Sequence, residues 1–213
     1  GNQYGAQMLA MPNGGIAAVW VSDQQQSKKS IDIVARLFNS VGQPLTGEVI
    51  VSQPGISANP VLGVAGDRLM VAWEQVDLDN KKTRWNIQMR SFDLNLKPMT
   101  EALTANQKQE GDQFAPSLQG STEGAMLAWN SLGQDGSREA VMGRFLNREA
   151  LFEGEEFVVN STKFAGQIEP NVSATADGQW LVTWSTPNGN GNGMDVAGQR
   201  FEVETGTAVG EQP

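Results

Sequence analysis

The sequence contains no cysteine and no histidine among its 213 residues, and only one tyrosine. Without cysteine, the chain can form neither a disulfide nor a thiolate metal site. Without histidine, it lacks the usual zinc ligand and the commonest general base. No apolar run approaches the roughly 20 residues that a membrane-spanning helix needs, so we expect no membrane insertion. These absences exclude many classes of enzyme.

Basic residues are also in the minority. The chain has 15 Lys plus Arg against 24 Asp plus Glu, which gives a formal net charge of −9 at pH 7. This charge repels phosphate backbones, and no cluster of basic residues offsets it locally. We therefore expect no nucleic-acid partner. The same charge favours solubility and is compatible with divalent cations.

A repeat of about 55 residues runs through the whole chain. Four tryptophans recur at intervals of 53, 56 and 55 residues, each at the end of a short apolar run: Trp20, Trp73, Trp129 and Trp184. An arginine follows each tryptophan after 15 to 17 residues: Arg36, Arg90, Arg144 and Arg200. A proline precedes three of the tryptophans by 13 or 14 residues: Pro60, Pro116 and Pro170. In the first copy, Ala6 or Gln7 stands where the proline would be. The fixed order of these features indicates tandem copies of one structural unit.

Each unit reads as four short strands separated by turns, and no segment has convincing helical periodicity. The second strand is apolar on both faces, as expected when neighbouring sheets cover both of its sides. Four antiparallel strands in about 55 residues match one blade of a β-propeller, whereas an immunoglobulin-like sandwich needs about 100 residues. The sequence therefore predicts an all-β β-propeller with blades at residues 1–53, 54–108, 109–163 and 164–213.

The fourth copy stops where its last strand should begin, so we expect the last blade to be incomplete. Three arrangements remain open: a four-bladed ring with an incomplete last blade, part of a ring with more blades, or a ring completed by partner chains. An incomplete ring leaves a sheet edge exposed. A fragment of a larger ring is the preferred interpretation.

The third and fourth copies resemble a repeat of large bacterial surface and secreted proteins that often carry hemolysin-type calcium-binding or adhesin regions. The matching pieces are Asp177-Gly178, "LVTW" at 181–184, "GQDGS" at 133–137, "GQRF" at 198–201 and "EEFVVN" at 155–160. Copies one and two keep the tryptophan and the arginine but lose the Asp-Gly-Ser loop and the Gln-Arg-Phe triplet. The resemblance implies an extracellular or bacterial cell-surface location and a non-enzymatic role.

The repeated tryptophans and arginines are best interpreted as structural residues. A residue that recurs at one position of every blade usually serves packing, and each tryptophan here ends a buried strand. An arginine in every blade suggests an ion pair or a hydrogen bond to backbone carbonyls between blades. The alternatives are a carbohydrate platform for the tryptophans and a clamp for an acidic ligand for the arginines.

The loops between the second and third strands differ in length and chemistry, which is typical of recognition loops on a uniform frame. They open on one face of the ring, which is the predicted ligand-binding surface. Its candidate residues are Asp23, Asp77, Asp79, Asn80, Gln134, Asp135, Ser137, Asn190, Asn192 and Asp195. Calcium is a possible cofactor because oxygen-rich loops suit a hard cation. Its best candidate ligands are Asp77, Asp79 and Asn80.

These features predict a non-enzymatic, extracellular binding or adhesion module. Its expected partners are a glycan or protein ligand and other repeats or chains of the same protein. One alternative is part of a propeller glycosidase or sialidase-like enzyme, which would need two acids about 5 to 10 Å apart in a pocket. The other is a structural subunit of a surface assembly. No pair of acids is singled out by the sequence, so we predict no catalytic residue.

Overall fold

A computed structural model describes residues 1–76, 85–108, 110–136, 138–163, 165–175, 179–189, 192–202 and 207–210. These residues form strands and turns but no helix, so none of them belongs to a helix that could cross a membrane. Sixteen strands follow one another along the described chain: β1 Gln3–Ala10, β2 Ile16–Asp23, β3 Ile31–Phe38, β4 Val49–Ile50, β5 Ser57–Ala65, β6 Arg68–Val76, β7 Trp85–Phe92, β8 Leu103–Thr104, β9 Gln113–Gly120, β10 Gly124–Leu132, β11 Glu139–Asn147, β12 Phe152–Val158, β13 Ile168–Ala174, β14 Gln179–Pro187, β15 Met194–Glu202 and β16 Ala208–Val209.

The strands form four separate sheets of four antiparallel strands, each in simple sequence order. We call them blades 1 to 4, and each lies inside the bounds that the repeat predicted. The expectation that blade 4 lacks its last strand is wrong, because Ala208 and Val209 pair with β15. This strand, β16, is two residues long, as are β4 and β8.

Strand 4 is only two residues long in blades 1 and 2, where side chains take over part of the ladder. The backbone amide of Ile33 donates to the hydroxyl of Ser52, 2.9 Å away. The amides of Ile87 and Val141 donate in the same way to the side-chain oxygens of Asn106 and Asn160. Blades 1, 2 and 3 therefore each satisfy one backbone amide of strand 3 with a side chain that follows strand 4.

The first strands of successive blades lie side by side, β1 beside β5, β5 beside β9 and β9 beside β13. Residues of all four line one central channel. The blades pack face to face around it, and each interface holds the tryptophan of the later blade: Trp73 packs with Val19 and Ile33 of blade 1. Strand β10 is buried on both faces except at its last residue. This burial explains the continuous apolar runs of the second strands.

Candidate functional site

Every first strand contains a β-bulge at the same place, near its start. The bulge residue has a left-handed backbone in all four blades: Gly5 (φ 64°), Asn59 (φ 48°), Ala115 (φ 52°) and Glu169 (φ 56°). Such a conformation is uncommon for residues other than glycine. Bulges and strained backbone concentrate near functional sites, where they redirect a side chain. The four bulges mark one end of the channel, which we call the channel mouth.

The mouth lies on the face that the sequence analysis selected, although at a different place. Gln3, at the start of β1, pairs with Ser22, at the end of β2. Since the other blades have the same antiparallel order, all four bulges lie at the end from which the loops between strands 2 and 3 emerge. The predicted face is therefore also the face of the channel mouth.

In blades 2 and 3, the residue that directly follows the tryptophan on strand 2 connects the blade to the bulge of the next blade. Glu74 is buried, and its Oε1 accepts hydrogen bonds from Asn59 Nδ2 at 2.8 Å and from the Ala115 amide at 2.7 Å. In blade 3, Asn130 Oδ1 accepts from the Glu169 amide at 3.0 Å. The bonds to the Ala115 and Glu169 amides cross a blade interface and hold the left-handed residue of the following blade, whereas the Asn59 bond lies within blade 2.

The corresponding positions of blades 1 and 4 carry Val21 and Ser185, so this position holds a chemically different residue in each blade. Valine has no acceptor to offer to the Asn59 amide. The channel mouth is therefore asymmetric although the frame around it repeats. Asymmetry of this kind is what a site for one ligand requires in a repeat protein.

Two cavities follow the channel. The one at the mouth has a volume of about 190 Å³, and its lining includes Tyr4, Asn59 and Ala115. The deeper one, about 330 Å³, is lined by first-strand residues of all four blades, several of them polar: Gln7, Ser117, Gln119, Asn171 and Ser173. Among the described residues, no acidic side chain lines either cavity. The four bulges and the side chains that bind them form a group that we call the bulge ring. Two carboxylates belong to it, those of Glu74 and Glu169.

Those residues of the predicted loop face that the structure describes make their contacts within their own blades. Asp23 accepts a hydrogen bond from Asn2 Nδ2 at 3.1 Å. The Gln134 side chain donates to Glu156 Oε1 at 2.7 Å, and Asp135 Oδ2 accepts from Asn160 Nδ2 at 3.1 Å. The backbone amide of Asn192 donates to Asn188 Oδ1, and Asp195 is exposed on β15. The described members therefore shape their own loops.

The remaining predicted residues lie outside the described part of the chain: Asp77, Asp79, Asn80, Ser137 and Asn190. The calcium ligands predicted from the sequence are among them, so calcium binding stays a prediction. Within the described ranges, no group of three or more acidic residues could hold a metal ion.

The repeated tryptophans occupy unequal environments. Trp73 and Trp129 are fully buried, and Trp184 is 2% exposed, each inside a blade interface. Trp129 Nε1 donates to Gln113 Oε1 at 3.0 Å. Trp20 is only half-buried, because no blade precedes it in the described chain.

Three of the repeated arginines tie strand 3 to backbone carbonyls. Arg90 Nη1 donates to the Val51 oxygen at 3.3 Å, and Arg144 Nη1 to the Ala105 oxygen at 3.0 Å, in both cases across the interface with the preceding blade. Arg36 keeps only the bond within its blade, from Nε to the Thr46 oxygen. Burial lowers the pKa of the Arg144 guanidinium, and the nearby Glu156 and Glu155 oppose that shift.

Arg200 is not equivalent to the other three arginines, which corrects the sequence interpretation. Arg36, Arg90 and Arg144 each lie two residues after the partner of their blade's tryptophan, on the tryptophan side of the sheet. In blade 4 that position is Gln199, whose Nε2 donates to the Val209 oxygen. Arg200 comes one residue later and therefore lies on the opposite face.

The residues of the bulge ring were missed by the sequence analysis. The two signals were the residue before each repeated proline and the residue after each repeated tryptophan. The bulges also align Ala6, not Gln7, with the prolines, since Gly5 corresponds to Asn59.

No family model matches the sequence, and no curated protein matches it. Solved structures do match. An α-L-arabinofuranosidase from Lactobacillus brevis is 9% identical, with a TM-score of 0.58 over 97% of this chain and 74% of that one. A Penicillium chrysogenum α-L-arabinanase in complex with arabinobiose is 12% identical, with a TM-score of 0.62 over 99% and 66%. A Bacteroides thetaiotaomicron endo-arabinase is 10% identical, with a TM-score of 0.56 over 97% and 81%.

These similarities correct the predicted non-enzymatic role and confirm the predicted fold. The structures that share the fold are glycoside hydrolases, which overturns the prediction of a non-enzymatic binding or adhesion module. No hemolysin or adhesin family is among the three matches described. At this level of identity, the comparison establishes the architecture and leaves the activity to be argued from the site. The chain has the predicted fold, a β-propeller of four-stranded antiparallel blades.

Proposed function

We propose that this chain is the propeller of a glycoside hydrolase and that its site is the channel mouth. The observation that carries the proposal is the ring of left-handed bulges, where Glu74 accepts hydrogen bonds from Asn59 and Ala115, and Glu169 is itself the bulge residue of blade 4. The fold shared with glycoside hydrolases supports it. The residues at the mouth also differ in polar chemistry from blade to blade.

Hydrolysis of a glycosidic bond commonly uses two carboxyl groups, one as acid and one as base or nucleophile. In the proposal, Glu169 and Glu74 fill these roles. The amide of Glu169 is fixed by Asn130, and its side chain is exposed. Glu74 receives both of its hydrogen bonds on Oε1, from neutral donors. The two groups therefore have different environments, which is how such pairs acquire different roles.

The proposed substrate class is an L-arabinofuranosyl saccharide. The support is that proteins with this fold are named for arabinofuranosides and arabinan, and one of them holds arabinobiose. The amide and hydroxyl side chains of the deeper channel, such as Gln119 and Asn171, offer both donors and acceptors to sugar hydroxyls. We further propose that the protein acts outside the cell, as the resemblance to secreted bacterial repeats implies.

The test is hydrolysis of a panel of nitrophenyl glycosides, which includes the α-L-arabinofuranoside, and of arabino-oligosaccharides. We expect turnover of the arabinofuranosyl substrates and a loss of about 10²-fold or more in kcat for Glu169→Gln and for Glu74→Gln. Glu149→Gln is the matched control, since Glu149 is exposed in the strand 3–4 hairpin, at the far end of the blade from the mouth. If the unchanged chain cleaves no glycoside, or if both variants keep full activity, the proposal is wrong.

A further inference from the structure

One side of blade 1 is open where the same side of every other blade is covered. This side carries Met8, Ala18, Trp20, Arg36 and Phe38, and we call it the Trp20 face. A cavity of about 400 Å³ lies on it, lined mainly by apolar surface that includes Tyr4, Trp20 and Phe38. Met8 is 75% exposed. The corresponding sides of blades 2, 3 and 4 are buried against the blade before them.

Polar groups of the Trp20 face also lack the partners that their equivalents have. Trp20 Nε1 is buried and has no hydrogen-bond partner among the described residues, whereas Trp129 Nε1 donates to Gln113 of its own blade, so this difference concerns blade 1 itself. The interblade bond of Arg90 ends on the Val51 oxygen, and that of Arg144 on the Ala105 oxygen. Arg36 donates to the Thr46 oxygen of its own blade. The structure describes no preceding blade whose carbonyl could accept the interblade hydrogen bond.

Blade 4 does not offer a face that matches. Its side turned away from Trp184 carries Leu181 and Val196 together with Thr183, Ser185 and Arg200, and Val196 is 77% exposed. In blade 3 the same side carries apolar residues at the positions of Thr183, Val196 and Arg200: Ala128, Val141 and Phe145. A second copy of the chain would present this more polar side to Trp20.

We propose that the Trp20 face is the docking surface for one further blade of the same repeat, carried by the same polypeptide. That blade covers Trp20 with the apolar side of its second and third strands. The carbonyl that follows its fourth strand accepts from Arg36 Nη1, as Ala105 does for Arg144. Consistent with this, chains of the same fold that match 97 to 99% of this one are themselves longer, since this chain covers 66 to 81% of them.

The chain itself supplies a probe. Residues 54–110, placed directly before Gly1, reproduce the natural entry into blade 3, because Gly1-Asn2-Gln3 aligns with Gly111-Asp112-Gln113. Acrylamide quenching of each protein and of its Trp20→Phe variant isolates the Trp20 signal by difference. We expect the added blade to reduce quenching of Trp20 several-fold and to raise Tm. A control copy with Met89→Lys in the added blade should lose both effects, because Met89 packs in the equivalent interface.

Other outcomes would overturn the proposal. Unchanged Trp20 quenching in a folded fusion would exclude a blade as the occupant. Shielding of Trp20 in the 213-residue chain alone, in step with dimer formation in light scattering, would assign the face to a second copy. Shielding by soluble sugars would assign it to a glycan. The intact mass of the natural polypeptide is an independent check, since 22.9 kDa would leave no room for a further blade.

Discussion

Replacement of Arg144 by glutamine isolates the contribution of one interblade contact. Arg144 Nη1 donates to the Ala105 oxygen of blade 2 at 3.0 Å, while Nε and Nη2 reach the Gly154 oxygen at 3.3 and 3.2 Å. The guanidinium also lies 4.3 Å from the ring centroid of Phe152. Glutamine is sterically suitable, because Gln199 occupies this position in blade 4.

The expected loss follows from these contacts. A hydrogen bond from a charged donor contributes about 1.5 to 3 kcal/mol, and partial exposure reduces this to about 1 to 2 kcal/mol for the interblade bond. The ring contact adds about 0.5 to 1 kcal/mol. Arg36→Gln is the matched control, because Arg36 bonds only to the Thr46 oxygen of its own blade and lies 5.8 Å from Phe38. We expect Arg144→Gln to cost about 1 to 2 kcal/mol more than Arg36→Gln.

Thermal unfolding followed by circular dichroism measures the difference. For a chain of this size, about 1 kcal/mol corresponds to roughly 2 to 4 °C in Tm, so the two variants should differ by roughly 2 to 8 °C. Arg90→Gln should resemble Arg144→Gln, since Arg90 has the same interblade bond. Equal losses for the Arg36 and Arg144 variants would refute the reasoning, because they would show that the carbonyl of the preceding blade contributes nothing.

Three further predictions concern the frame. Trp129→Phe removes the buried hydrogen bond to Gln113, whereas the indole nitrogen of Trp20 has no partner among the described residues. Urea titrations should therefore show that Trp129→Phe lowers the free energy of unfolding by about 1 to 2 kcal/mol more than Trp20→Phe does. Gly120→Ala should lower the free energy of unfolding by about 1 to 3 kcal/mol or more, because a Cβ there would overlap the Val64 oxygen of the neighbouring inner strand. Gly47→Ala is the control and should be nearly neutral, since a Cβ at Gly47 would lie in open space. Equal Tm values for the two variants would contradict this. Hydrogen bonds from the Lys97 and Asn95 amides hold the pKa of Asp93 below its usual value. The contribution of Asp93 to stability is therefore present at neutral pH and is lost as pH falls below about 4. Asp93→Asn should remove this part of the acid dependence of Tm, and an unchanged dependence would count against it.

The fold could be predicted from the sequence because the repeat is carried by packing residues. Trp73, Trp129 and Trp184 each fill the interface with the preceding blade, so their spacing measures the length of one blade. A change in such a residue would leave a cavity or an overpacked core. The period therefore survives while the loops between strands vary.

Spacing alone could not place the arginines. The loop between strands 2 and 3 changes length from blade to blade, so a count from the tryptophan mixes loop length with position on strand 3. Pairing gives the face directly: Arg144 lies opposite Leu127, and Gln199 lies opposite Val182. Since successive strand residues point to opposite faces, the shift of one residue moves Arg200 to the other side of the blade.

The site could not be predicted for the opposite reason, because its residues do not repeat. The four bulge positions hold Gly5, Asn59, Ala115 and Glu169, which share a backbone conformation and no side-chain chemistry. A search for recurring residues passes over them.

The repeated frame and the variable mouth are physically connected. A left-handed bulge is costly for residues other than glycine, so it persists only where other contacts hold it. Here the contact comes from the neighbouring blade, through Glu74 or Asn130, and not from within the bulged strand. The conformations of the bulges at Ala115 and Glu169 therefore depend on the blade before each of them, and the blade interfaces that stabilise the propeller also shape its channel mouth. It follows that Asn130→Ala should disturb Glu169 in the next blade while leaving Asn59, two blades away from Glu169, unchanged.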